Sequence, residues 1–111
     1  MQEPGVDEHQ WITEWEAIDP LLTESPTEAL SEADDLIARM MEARGIPLEE
    51  REGEELTDPE TILSFMEARR VARQIDSGEP YDPGDVAVAV ETYRELYQEL
   101  LDYGSTAGAP A

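Results

Sequence analysis

Residues 82–104 read DPGDVAVAVETYRELYQELLDYG and decide the fold of this 111-residue chain. Their apolar side chains recur at alternating spacings of four and three residues, which is the period of one face of an α-helix. Asp82 followed by Pro83 is typical of a helix start, and Gly104 is typical of a helix end. A helix with so broad an apolar face needs partner helices. The face consists of Val86, Ala89, Val90, Tyr93, Leu96, Tyr97, Leu100 and Leu101.

Two earlier stretches predict such partners. Ser25, as a helix cap, and Pro26 predict the start of one long helix, and Gly45 predicts its end. Pro59 and Gly78 bound another long helix in the same way. The three long helices are therefore expected at 26–44, 59–77 and 83–103. Because short connections favour antiparallel neighbours, the predicted fold class is all-α, a small antiparallel bundle.

A short fourth helix is predicted at 8–18, ahead of the three long ones. Trp11, Trp15 and Ile18 are spaced at four and then three residues, and Pro20 is expected to stop the helix. Two tryptophans one turn apart on an apolar face indicate core residues. Alternatively, the segment could swing out and present both indoles to another protein.

The length of the chain predicts a single helical domain, at 8–104. Residues 1–7 and the small-residue tail 105–111 are expected to be disordered. The sequence has no cysteine, which excludes disulfides and thiolate metal sites. It also has no run of eighteen apolar residues and no basic and apolar leader, so a cytoplasmic protein without membrane contact is expected.

Charge is the most unusual property of the sequence. Its 28 acidic and 7 basic residues give a formal net charge of -21, and all the basic residues are arginine. This balance argues against direct binding of nucleic acid or of anionic membranes, because both need a basic surface. A basic protein surface or cations remain as partners. The acidity could also serve solubility or adaptation to salt.

The acidity is concentrated in the first half of the chain, where residues 1–60 hold 19 acids and 3 arginines. Repulsion should keep the connection 47–57 extended, and it lacks the ligand pattern of an EF-hand loop. The acids of this connection that we predict to contact a partner are Glu49, Glu50, Glu52, Glu54 and Glu55.

Three of the seven arginines cluster on one side of the helix at 59–77. Arg69, Arg70 and Arg73 surround Met66 there. In so acidic a chain we expect the connection 47–57, or acids of the first long helix, to pair with them and leave at most one unpaired. The alternative is a site for a phosphorylated or carboxylate ligand.

Catalytic patterns are absent from the sequence. His9 is the only histidine, and there is neither cysteine nor lysine to act as a nucleophile. One histidine also cannot supply the paired Glu-x-x-His motif of di-metal bundles. The sequence predicts no enzyme, no metal site and no cofactor, although carboxylates could in principle act as acid and base.

Two stretches resemble a helical module of uncharacterised and stress-associated actinobacterial proteins. They are WEAIDPLLTESPTEALSEADDLIARMM at 15–41 and FMEARRVARQIDSGEPYDPGDVAVAVETYRELYQELL at 65–101. The module's second half carries a Tyr-Arg pair, two further residues, a second aromatic residue and then paired leucines. In this chain these are Tyr93, Arg94 and Tyr97, followed by Leu100 and Leu101. The resemblance supports a helical fold and an actinobacterial source, and it implies no activity, cofactor or site residue.

The function expected from the sequence is a non-enzymatic module that binds a basic protein surface through its acidic first half. A small-molecule or metal sensor, a decoy that imitates nucleic acid, and a carboxylate enzyme are the alternatives. Association into a homo-oligomer is also possible. The expected contact residues are Trp11, Trp15, the five glutamates of 49–55 and the three clustered arginines.

Overall fold

A computed structural model of the chain describes residues 4–49 and 59–108. Its four α-helices follow one another along the chain, and the described residues contain no strand. The prediction of an all-helical fold is confirmed. The helices are α1 (Pro4–Glu24), α2 (Pro26–Ala43), α3 (Pro59–Asp76) and α4 (Pro83–Gly108).

Helices α2 and α4 form the centre of the bundle, since each of them packs against all three others. The apolar face that was read from residues 82–104 is buried on α4, with only Leu101 partly exposed. On α2 the buried apolar residues are Ala29, Leu30, Ala33, Leu36, Ile37, Ala38, Met40 and Met41. On α3, Phe65 is fully buried between the other helices.

Two glycines end their helices for the reason that the sequence indicated. Gly45 has a φ of 77° and Gly78 a φ of 76°, a left-handed conformation that strains any residue with a Cβ atom. After α2, the N–H of Gly45 donates to the carbonyl of Glu42, and the N–H of Ile46 donates to that of Met41. These two bonds satisfy carbonyl groups that the end of a helix leaves free.

The first helix is longer than predicted, and the expectation that Pro20 stops it is wrong. Helix α1 continues through Pro20 to Glu24. A proline inside a helix removes one backbone hydrogen bond. The turn after the proline is held by tertiary contacts, because Leu22 is buried in the core and Arg94 of α4 bonds Asp19 and Thr23 on either side of Pro20.

One predicted helix start and one predicted helix end differ from expectation. Ser25 precedes α2, but its side chain makes no capping hydrogen bond. It is the single residue between α1 and α2, and its own N–H continues the pattern of α1 by donating to Leu21. Gly104 lies inside α4, which extends to Gly108. Glycine inside a helix costs about 1 kcal/mol relative to alanine, which weakens the helix without ending it.

Helical backbone therefore extends beyond the predicted domain limits of 8 and 104 at both ends. Helix α1 begins at Pro4, and α4 reaches Gly108. The expected disorder of 1–7 and 105–111 stays a prediction.

Candidate functional site

Both tryptophans predicted as core or contact residues lie in the core. Trp11 and Trp15 are 7% and 8% exposed, so other side chains cover both rings. Their role as contact residues stays a prediction. The ring of Trp15 stacks on that of Tyr97 with 4.4 Å between centroids. The guanidinium of Arg44 lies 4.9 Å from the centroid of the Trp11 ring, a cation–π contact. These contacts attach α1 to α2 and α4.

A charged residue that the sequence analysis did not select lies at the junction of three helices. Asp34 of α2 is 9% exposed, and it is the only buried carboxylate among the described residues. Its Oδ1 accepts a hydrogen bond of 2.8 Å from the hydroxyl of Tyr93 on α4, and its Oδ2 lies 3.2 Å from Nε of Arg69 on α3. Burial, together with the nearby charge of Asp34, raises the pKa of Tyr93 well above its usual range.

The sequence did contain a signal for Asp34. The residue follows Leu30 by four positions and precedes Ile37 by three, so it lies in the middle of the apolar face of α2. A carboxylate at such a position needs hydrogen-bonding partners from other helices, because burying it unpaired is costly. Which side chains would supply them depends on how the helices pack.

The arginine surface, formed by Arg69, Arg70 and Arg73, is largely engaged with carboxylates. Arg69 pairs with Asp34 of the first long helix, as expected, and its guanidinium lies 5.1 Å from the centroid of the Phe65 ring. Its Nε–H is not aligned on the carboxylate, so the contact is an ion pair without a hydrogen bond among the described residues. Arg70 pairs at 2.7 Å with Glu67 of its own helix, and this bond lowers the pKa of Glu67.

Arg73 has no carboxylate within 4.0 Å among residues 4–49 and 59–108. It lines, with the other two arginines and Met66, a cleft of about 290 Å³. Glu49 stands at the same cleft and is exposed. The other predicted contact residues of the connection, Glu50, Glu52, Glu54 and Glu55, lie outside the described residues.

The second helix carries an acidic face on the side opposite its buried residues, and one arginine, Arg39, lies within that face. Glu28, Glu32, Asp35 and Glu42 are all exposed, and at about 100° per residue they fall within about 80° of one another. Only Asp35 of these four takes part in an ion pair within the described part of the chain, with Arg39 at 3.2 Å. Arg39 also binds Glu14 of α1 through two hydrogen bonds, which raise its pKa.

An apolar groove lies next to the start of this acidic face. It has a volume of about 490 Å³ and runs between the end of α1, the start of α2 and the first turns of α4. Arg94 also lines the groove; its Nε donates to Asp19 at 2.8 Å and its Nη2 donates to Thr23 at 2.7 Å. Other residues of the wall are Leu22, Pro26, Thr27, Tyr81, Pro83, Val86, Ala87, Val90 and Glu91.

The described residues hold neither a cluster of metal ligands nor a membrane-spanning helix. The described part of the chain holds no group of three or more His, Asp or Glu side chains that could bind a metal ion. His9 is exposed, and its carbonyl accepts a hydrogen bond from Thr13. None of the helices within 4–49 and 59–108 is both long and apolar enough to cross a membrane.

Comparison with protein-family models, with curated proteins and with solved structures finds no match for this chain. The acidic face of α2, the arginine surface and the apolar groove are the surface features of the described residues that bear on function.

Proposed function

We propose that this protein is a non-enzymatic helical module that binds a basic surface of another protein through the acidic face of α2. One observation carries the proposal: three of the four carboxylates of that face, Glu28, Glu32 and Glu42, have no cationic partner among the described residues. They project from a helix whose other side is held in the core. Carboxylates held on one side of a helix, of which only Asp35 pairs with Arg39, are complementary to a cluster of lysines or arginines.

The charge of the whole chain supports the same function. A net charge of -21 attracts a basic partner over a distance of about 8 Å at physiological salt, and it repels nucleic acid. Contacts between exposed charges contribute little affinity individually, so the face should act mainly on association rate and on partner choice. Binding should therefore weaken steeply as salt is added.

The arrangement of the helices is part of this proposal, as are the cytoplasmic location and the actinobacterial source. We infer that consecutive helices run antiparallel. Glu14 of α1 binds Arg39 near the end of α2, and Thr61 near the start of α3 donates to Glu99 toward the end of α4. Arg44, directly after α2, donates to the carbonyl of Leu100 in the same part of α4. In this arrangement the acidic face of α2 extends along one side of the bundle.

The test compares two triple variants with equal loss of charge. The first is Glu28→Gln, Glu32→Gln and Glu42→Gln on the acidic face. The second is Asp76→Asn, Glu79→Gln and Glu95→Gln, which are exposed acids of the second half without ion pairs among the described residues. Both variants and the unmodified protein serve as bait in lysate of the source at low and at physiological salt, and captured proteins are then titrated individually.

We expect the lysate to yield a basic protein. Its affinity for the first variant should be about tenfold or more below its affinity for the unmodified protein, and its affinity for the second variant should fall much less. Equal losses in both variants would show that total charge, and not the acidic face, controls binding. DNA is added as a competitor in a parallel titration. A captured protein that DNA displaces and that normally binds nucleic acid would make the protein a decoy.

A further inference from the structure

The apolar groove is a concave surface of about 490 Å³ whose wall includes core side chains. Leu22, Val86 and Val90 are buried at its base, while Tyr81 and Ala87 are exposed at its sides. Tyr81 leaves 43% of its surface accessible. Covering such a surface with an apolar group lowers the free energy, because water is released from both partners.

Carboxylates lie at the groove and beside it. Glu91 lines the groove, and Glu28 directly follows the wall residue Thr27; both are exposed. The only cation at the groove, Arg94, is already bound to Asp19. The groove therefore joins the start of the acidic face of α2, so a partner on that face would reach the groove.

We propose that the groove receives a bulky apolar side chain from an amphipathic, basic segment of the partner, whose lysines or arginines lie on the carboxylates around it. This inference rests on the proposed function and names the partner's chemistry. A second copy of this chain fits the groove poorly, because two molecules that each carry -21 repel one another. The carboxylates at the groove and beside it select a basic segment from among apolar ones.

The first experiment uses two synthetic helical peptides with identical lysine positions. One peptide carries leucines on its other face, and the second carries alanines at the same places. Dissociation constants are measured by fluorescence anisotropy, and the ring protons of Tyr81 are followed by NMR. We expect the leucine peptide to bind about tenfold more tightly or better, since each buried leucine removes apolar surface from water. Only the leucine peptide should shift the Tyr81 signals.

The second experiment compares Ala87→Glu with Val88→Glu. The two residues are neighbours on α4 and both are exposed, but only Ala87 lines the groove. Each variant adds one negative charge, which by itself favours a basic peptide. Ala87→Glu should nevertheless weaken leucine-peptide binding by about tenfold, because it places a carboxylate where the apolar side chain enters. Val88→Glu should leave that binding unchanged or slightly tighter.

The outcomes separate this inference from the proposed function. If both peptides bind equally and Ala87→Glu has no effect, the groove proposal is wrong while binding of basic partners by the acidic face stands. If neither peptide binds at low salt, both proposals fail. If the protein forms a dimer in sedimentation analysis and Ala87→Glu disrupts it, the occupant is a second copy, and the basic-segment proposal is overturned.

Discussion

At the scale of single residues, Asp34 and its two partners are the most consequential contacts of the fold. A buried carboxylate is stable only while its oxygens are satisfied. Tyr93 supplies a hydrogen bond and Arg69 supplies an opposite charge, and they come from α4 and α3 respectively. The three side chains thus fix the relative positions of three helices as well as stabilising the core.

Tyr93→Phe should lower the free energy of unfolding by about 1–3 kcal/mol, because it removes the hydrogen bond to a buried carboxylate and leaves the rest of the ring in place. Denaturant unfolding followed by circular dichroism measures the change. Tyr81→Phe is the matched control: Tyr81 is exposed and makes no hydrogen bond among the described residues, so its change should stay within about 0.5 kcal/mol. Equal effects of the two variants would contradict the role given to Asp34.

The raised pKa of Tyr93 predicts how stability changes at alkaline pH. In the unfolded chain the tyrosine ionises near 10.0, whereas burial keeps it protonated in the folded protein. Its contribution is therefore fully present below the unfolded value and is lost as the pH rises above it. Unfolding free energies measured between about pH 9 and about pH 11 should fall more steeply for the unmodified protein than for Tyr93→Phe. Parallel curves would refute this.

At the scale of the elements, α1 shows how tertiary contacts can override a local signal. Pro20 is exposed and interrupts the hydrogen bonding of α1, yet the helix continues for four residues beyond it. The buried side chain of Leu22 and the bond from Arg94 to Thr23 lie beyond the proline. Their stabilisation offsets the local cost of the proline.

Pro20→Ala should therefore stabilise the protein by roughly 2 kcal/mol, since about 3 kcal/mol of helix penalty is partly offset by the greater freedom of the unfolded chain. Pro26→Ala is the control. Pro26 occupies the first position of α2, where proline costs no hydrogen bond, so its replacement should be neutral or destabilising by less than about 1 kcal/mol. Thermal and denaturant unfolding of both variants measures the difference. The description of α1 is wrong if Pro20→Ala is no more stable than Pro26→Ala.

At the scale of the whole molecule, the charge opposes the compact state. Arg39, Arg69, Arg70 and Arg94 each pair with a carboxylate, and these pairs leave most of the 28 acids without a cation. Repulsion among the remaining carboxylates opposes folding and opposes the approach of a second copy.

Sodium chloride should raise the melting temperature, because at a few hundred millimolar the Debye length falls to roughly 5 Å and screens this repulsion. The Glu28→Gln, Glu32→Gln and Glu42→Gln variant should show a smaller rise, since it has three fewer carboxylates to screen. Differential scanning calorimetry at matched pH measures both. A melting curve that salt leaves unmoved would mean that internal pairing or bound cations already neutralise the acids.

Much of the fold follows from local physics, and the sequence alone determines it. The helical period of the apolar residues identifies the buried faces of α2, α3 and α4, because residues three or four apart project from the same side. Gly45 and Gly78 mark helix ends because glycine, which has no Cβ atom, adopts a positive φ without strain. The core position of Trp11 and Trp15 follows from the same spacing.

What only the tertiary structure decided depends on residues far apart in the chain. The pairing of Asp34 with Tyr93 joins positions 59 residues apart, and the bond from Arg94 to Asp19 spans 75. The continuation of α1 past Pro20 and the groove beside Leu22 depend equally on where α4 lies. No local pattern specifies which helices pack together or how they are positioned along one another's axes, because the packing of all four helices determines both.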